Sequence, residues 1–86
     1  MYVICTYDVN SKRCLKYMKL FRRYLFHVQE SVFEGELTPN QYKRLKQEID
    51  KLICKDDYVL IYYVYSQKQL KIEEIGKKGK NKVIID

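Results

Sequence analysis

Two stretches of this chain are apolar or aromatic on both parities: Tyr2-Val3-Ile4-Cys5-Thr6-Tyr7 and Tyr58-Val59-Leu60-Ile61-Tyr62-Tyr63-Val64-Tyr65. A strand with one wet face alternates apolar and polar residues, whereas a strand buried on both faces does not. The rest of the chain offers two helical patterns, and two helices cover only one face of a sheet. Something must cover the other. In a chain with no spare elements the simplest cover is a second copy of itself, so the pattern predicts a homodimer. The competing account is that tyrosine tolerates water and the second face is half wet.

The run Tyr2 to Asp8 is β-rich and ends in an acid. Asn10 or Ser11 can cap the segment that follows, in which Cys14, Met18, Phe21 and Leu25 recur at spacings of four, three and four. Leu15, Tyr17 and Tyr24 widen that face. Val28 to Leu37 returns to β character and reads either as one long strand or as two pieces kinked at Gly35 or near Ser31. Thr38-Pro39-Asn40-Gln41 is a helix start, with threonine as N-cap, proline at the first position and glutamine three residues after the cap. Tyr42, Leu45, Ile49 and Leu52 carry the second helix to about Cys54. Asp56-Asp57 turns the chain into the run Tyr58 to Tyr65. Beyond Ser66, Leu70 to Ile75 and Val83 to Ile85 suit short strands, and Gly76 to Lys82 is a basic loop. The order predicts an α+β sandwich of the ferredoxin-like kind, two helices on one face of an antiparallel sheet, over residues 1–76 with a basic tail at 77–86.

A chain of 86 residues with 47% hydrophobic and 33% charged residues has one core and one domain. No apolar run approaches the roughly 20 residues that span a bilayer. Met1 to Asp8 has no basic leader segment or small-residue cleavage site, which predicts a soluble, cytoplasmic protein. Cys5, Cys14 and Cys54 are widely spaced and form neither a disulfide framework nor a zinc pattern. Cys5 and Cys54 read as small core residues. No serine or cysteine has a recognisable base partner, and no glycine-rich loop precedes a helix. Nucleophilic catalysis and nucleotide binding by a phosphate-binding loop are therefore unsupported.

Charge narrows the partner. Lys and Arg number 17 against 11 Asp and Glu, a formal net charge of +6. Lys12, Lys16, Lys19 and Arg23 recur at helical spacing on the first helix, with Arg13 and Arg22 beside them and no acid among them. A solvated helix face usually mixes signs, so an unmixed stripe favours phosphate contact, with an ordinary wet face as the alternative. The second helix carries Lys43, Arg44, Lys46 and Lys51 diluted by Glu48 and Asp50. His27, the one histidine, lies between helix and strand, where packing or helix termination is its ordinary role.

Asp8 is the sole acid before Glu30 and stands at the C-terminal end of the first strand. Alone it is a turn or cap residue, since Mg²⁺ is a hard cation poorly held by one carboxylate. Two copies of Asp8 meeting on a dimer axis would make a credible Mg²⁺ site, able to orient a water and neutralise a phosphodiester.

Tyr7-Asp8-Val9 after an N-terminal strand, the segment Val28-Gln29-Glu30-Ser31-Val32-Phe33-Glu34-Gly35-Glu36-Leu37 and Thr38 opening a second helix complete a recognisable pattern. Over residues 1–76 the chain resembles the second CRISPR-associated protein family, the small subunit of the CRISPR adaptation integrase, often named as an endoribonuclease. The resemblance implies a ferredoxin-like homodimer in which a short strand at Lys71 to Ile75 pairs with the partner's sheet. It implies one Mg²⁺ or Mn²⁺ held by Asp8 and its symmetry mate. It further implies a complex with the larger integrase subunit that inserts short DNA into a CRISPR array. Tyr7, Asp8 and Phe33 stand where the family motif puts its functional residues, and His27 stands where many members carry arginine. Three activities are compatible with this likeness. They are a metal-dependent endonuclease acting on RNA or duplex DNA, a toxin-type ribonuclease of similar fold, and a DNA-binding adaptor without catalysis.

Overall fold

Both helices begin where side-chain oxygens take up their first free N–H groups. Asn10 accepts from the Lys12 N–H at 2.9 Å and opens α1 (Ser11–Arg22). At α2 (Pro39–Leu52) the Thr38 hydroxyl accepts from the Gln41 N–H at 3.1 Å, while the Gln41 side chain accepts from the Thr38 N–H at 2.8 Å. That reciprocal pair is the capping box expected from Thr38-Pro39-Asn40-Gln41. The computed structural model describes residues 1–73 and 84–85.

Four strands form one antiparallel sheet: β1 (Tyr2–Asp8), β2 (Phe26–Gln29), β3 (Val32–Glu36) and β4 (Tyr58–Val64), in the order β2-β3-β1-β4. With both helices on one face, this is the expected α+β, ferredoxin-like sandwich. The segment from Val28 to Leu37 is two strands, starting at Phe26 and turning at Glu30-Ser31. Glu30 takes a left-handed φ of 37°, and the His27 Nε2 donates to its carbonyl at 2.6 Å. Between His27 and Gln29 the pairing of β2 with β3 slips by a residue, a bulge on the sheet's outer strand. A second, two-stranded ladder joins β5 (Ile72–Glu73) to β6 (Ile84–Ile85). The rest of the expected strand to Ile75, Val83, the loop Gly76 to Lys82 and the boundary at 76–77 lie outside the described residues. Among the described residues no helix is long and apolar enough to cross a membrane.

The core lies between the sheet and the helices. Val3, Cys5 and Tyr7 of β1 and Phe33 of β3 pack on Tyr17, Leu20 and Phe21 of α1 and on Leu45 and Ile49 of α2. Gly35 admits Leu25, since a Cβ there would lie 3.3 Å from Leu25 Cδ2. Two sequence expectations are corrected by this packing. The buried stripe of α1 is centred on Tyr17, Leu20 and Phe21, which turns Leu15 outward to 56% exposure. Cys54 is exposed and not a core residue, because α2 ends at Leu52 and Ile53 is already extended.

The opposite face carries Tyr2, Ile4 and Thr6 of β1, Glu34 of β3 and Leu60, Tyr62 and Val64 of β4, as the registers Ile4↔Glu34 and Ile4↔Tyr62 require. Neither helix reaches it. Phe26 on this face is 79% exposed. Ile4 is buried, beside a cavity of about 170 Å³ lined by Tyr2, Tyr62, Val64 and Leu70 among others.

A polar knot fastens the turn before β4. Asp57, whose side chain is 2% exposed, accepts from Arg13 Nε at 3.0 Å, from the Tyr17 hydroxyl at 2.7 Å and from the Cys54 N–H at 3.0 Å. Arg13 Nη2 also donates to the Leu52 carbonyl at 2.6 Å, satisfying the end of α2. Burial alone would raise the Asp57 pKa. The bonds from Tyr17, Cys54 and Arg13 together outweigh burial and hold it below the ordinary 3.8. The unfolded chain therefore binds the extra proton first, so acid weakens the fold through this group. Asp57→Asn should lower the melting temperature by at least about 5 °C at neutral pH. The difference from wild type should be complete above the ordinary aspartate range and vanish as pH falls through the lowered value. Melts of both proteins from neutral to about pH 2 check this, and a pH-independent gap would show that the carboxylate charge is immaterial.

Candidate functional site

Asp8 ends β1 opposite Tyr58, on the sheet face that the helices leave open, with its side chain exposed. None of the ion pairs among the described residues uses it. It stands at the mouth of a cleft of about 350 Å³ lined by Tyr7, Asp8, Val9, Cys14, Met18, Glu30 and Ser31. The cleft forms because the Glu30-Ser31 turn closes against β1 (Tyr7 N–H to the Ser31 carbonyl, 3.2 Å) while α1 starts on the other side. Glu30 and Ser31 were not singled out from sequence. Their place depends on a turn whose existence the pattern from Val28 to Leu37 left open.

Tyr7 and Phe33, the other two residues at motif positions, belong to the core. Phe33 is fully buried, with the His27 ring stacked on it at 4.5 Å and Phe21 at 5.5 Å. Tyr7 is 5% exposed and stacks on Tyr17 at 5.5 Å and Phe21 at 5.6 Å. One edge of Tyr7 still borders the cleft. Burial pushes its hydroxyl pKa up, and the Arg22 charge opposes the shift. Tyr7 and Phe33 thus fix the direction of β1 at Asp8, and Asp8 alone of the three meets solvent.

The basic residues of α1 divide in two. Lys12, Lys16, Lys19 and Arg22 are exposed, and none of the ion pairs among the described residues uses them. Arg13 is engaged with Asp57, and Arg23 forks onto Glu48 with Nη1–Oε1 at 2.6 Å. The two acids that reach this stripe come from α2 and from the turn after it, far along the chain.

Among the described residues no three His, Cys, Asp or Glu side chains gather as a metal cluster. Asp8 offers an anionic oxygen of the kind Mg²⁺ and Mn²⁺ accept, but as a single protein ligand. The donor type fits such an ion, and the number of ligands within one chain does not.

The profile of the family described as CRISPR associated protein Cas2 matches residues 1–72. The chain belongs to the Cas2 family. A Thermotoga maritima protein named CRISPR-associated endoribonuclease Cas2 is 49% identical over 83 residues, covering 94% of this chain and 95% of that one. A Dictyoglomus turgidum protein of the same name is 40% identical over 75 residues, covering 81% and 86%. Among solved structures, one described as the crystal structure of cas2 superposes with a TM-score of 0.84 at 39% identity, covering 93% of this chain and 91% of that one. Streptococcus pyogenes Cas2 follows the same fold with a TM-score of 0.69 at 33% identity, covering 80% and 92%. The family and fold expected from Tyr7-Asp8-Val9 and the Val28–Leu37 segment are those found.

The burial of Phe33 separates packing from chemistry at this Cas2 site. Phe33→Ala should cost about 3–5 kcal/mol of stability. Phe33→Leu should keep the fold and any activity within a few fold. Loss of activity in a Phe33→Leu protein of native melting temperature would assign the ring a direct role.

Proposed function

We propose that this chain works as a homodimeric CRISPR-associated endoribonuclease that needs Mg²⁺ or Mn²⁺, and that the same dimer serves the larger integrase subunit as a nucleic-acid-binding partner. The observation that carries this reading is the position of Asp8, an exposed carboxylate at the end of a core-fixed strand on the uncovered sheet face. A second copy laid on that face brings the partner's Asp8 towards the same axis and doubles the ligand set. The names of the relatives supply the substrate class.

Two further observations support the dimer. The uncovered face is apolar at Ile4, Leu60, Tyr62, Val64 and Phe26. On the same face Glu34 Oε2 is buried with no hydrogen-bond partner among the described residues, a costly arrangement that a donor from another chain would relieve.

In this reading Asp8 and the partner's Asp8 hold the ion, which supplies a Lewis acid for the phosphodiester and an activated water. Tyr7 and Phe33 keep β1 rigid behind the carboxylate. Lys12, Lys16, Lys19 and Arg22 bind the phosphate backbone along α1. A second reading, a dimeric adaptor that binds nucleic acid without cutting it, is favoured by Phe33 being fully buried and Tyr7 nearly so, which leaves Asp8 as the one exposed residue of the three.

Asp8→Asn keeps the shape of the side chain and removes its charge. It should lower metal-dependent cleavage by more than about 100-fold, while sedimentation still shows the dimer and duplex binding is nearly unchanged. Dimers of one wild-type and one Asp8→Asn subunit should resemble the double mutant, because a shared ion needs both carboxylates. Half activity would mean that each subunit works alone. Cleavage that survives Asp8→Asn, or that needs no metal, would point to a contaminating nuclease and so favour the adaptor, as would spacer integration without cleavage.

Charge reversal at Lys16 and Lys19 should weaken duplex binding regardless of sequence and flatten its salt dependence by about one unit of log–log slope per lost phosphate contact. Reversal at Lys46 and Lys51 should do less. Equal effects from the two sets would show that α1 is not the docking surface.

A further inference from the structure

The groove between α1 and α2 holds three cations around one carboxylate. Lys16, Lys19, Leu20, Arg23, Glu48 and Leu52 line a space of about 260 Å³. Arg23 Nη1 donates to Glu48 Oε1 at 2.6 Å and Nη2 donates to Oε2 at 3.3 Å, while the Tyr24 hydroxyl donates to Oε2 as well. The Tyr24 hydroxyl and then Arg23 keep the Glu48 carboxyl below the usual carboxylate range, so it is ionised at neutral pH. Lys16 and Lys19 are used by none of the ion pairs among the described residues.

Geometrically, a carboxylate with both oxygens on an arginine fork and a hydroxyl on one of them presents the acceptor pattern of a phosphate. The Arg23 side chain is 61% exposed and that of Glu48 31%. Exposed pairs of this kind are weak and exchange readily for another anion. With Glu48 in place the groove still carries two uncompensated positive charges, enough to attract an anion stronger than the one it holds.

We propose that Glu48 is a built-in phosphate stand-in, occupying Arg23 in the free protein until a backbone phosphate of a bound duplex displaces it. This rests on the reading that α1 is the nucleic-acid docking surface. Glu48 then sets a threshold. Chance contact with nucleic acid meets a stripe whose arginine is engaged, and only a duplex that also fills the Lys16–Lys19 positions gains the Arg23 contact. The ligand chemistry is the phosphodiester backbone, which duplex DNA and duplex RNA share.

The test is titration of wild type, Glu48→Gln, Asp50→Asn, the Lys16→Glu/Lys19→Glu double variant, and Glu48→Gln combined with Arg23→Gln. Each is titrated with DNA and RNA duplexes of one sequence at several salt concentrations. Glu48→Gln keeps an oxygen for Tyr24 and should leave the melting temperature near wild type. It should bind at least one duplex about threefold to tenfold more tightly, with a salt slope steeper by up to about one unit. The duplex with the larger gain is the one the groove fits. Asp50→Asn, the same charge change on the same helix, should gain less, and the gain should vanish when Arg23 is also replaced. Equal gains from Glu48→Gln and Asp50→Asn would reduce the effect to net charge and overturn the proposal. Unchanged or weaker binding by Glu48→Gln, beside a clear loss in the lysine double variant, overturns it and leaves docking on α1 standing. No loss in the lysine double variant removes the docking surface and the proposal with it.

Discussion

The fold depends on a group of stacked aromatic rings. Tyr7 from β1 lies against Tyr17 and Phe21 from α1, Phe21 lies against Phe33 from β3, and the His27 ring of β2 closes the far side of Phe33. Pairs at such separations contribute about 0.5–1.5 kcal/mol each beyond the area they bury. The placement matters as much as the sum, because these rings join three of the four strands to the first helix. The Tyr17 hydroxyl carries the connection onward to Asp57 and so to the turn that launches β4. The strand bearing Asp8 is thereby clamped from behind and from both sides. The direction of the exposed Asp8 side chain is thereby set by a rigid backbone, since the side chain itself is free in solvent.

The two faces of the sheet are built on different terms. One is completed within the chain by Tyr17, Leu20, Phe21, Leu45 and Ile49. The other is apolar along β1 and β4 but also carries Glu34, with a buried carboxylate oxygen that lacks a donor among the described residues. A purely apolar face would serve any greasy partner, whereas a carboxylate among tyrosines asks for a donor at one place. The Tyr2 phenol is itself affected: burial first, then the charge of Glu34, push its pKa up to about 12.

What could be read from sequence was what is decided locally. Thr38, Pro39 and Gln41 announce a capping box because all its partners lie within four residues, and the unbroken β-forming run from Tyr2 to Tyr7 marks a strand whatever it pairs with. The lack of alternation in Tyr58 to Tyr65 exposed the uncovered face for the same reason. What stayed hidden depends on residues far apart in the chain. Arg13 and Arg23 look like equal members of a basic stripe until Asp57 and Glu48 arrive from more than twenty residues away. Leu15 looked like a core residue because helical spacing fixes a stripe but not its centre, which the sheet decides. Glu30 joins Asp8 in one cleft only because the chain reverses at Ser31, and no strong turn dipeptide announces that reversal.

The bulge on β2 bears on how copies of this chain can meet. A sheet edge invites another strand, and this sheet has two edges, β2 and β4. The slip between His27 and Gln29 interrupts the ladder of a strand only four residues long, leaving a short and irregular template there. Among the described residues no strand pairs with the outer side of seven-residue β4. Of the two edges of this four-stranded sheet, β4 is therefore the longer and more regular template, and a strand added from another chain would meet fewer irregularities there than at β2.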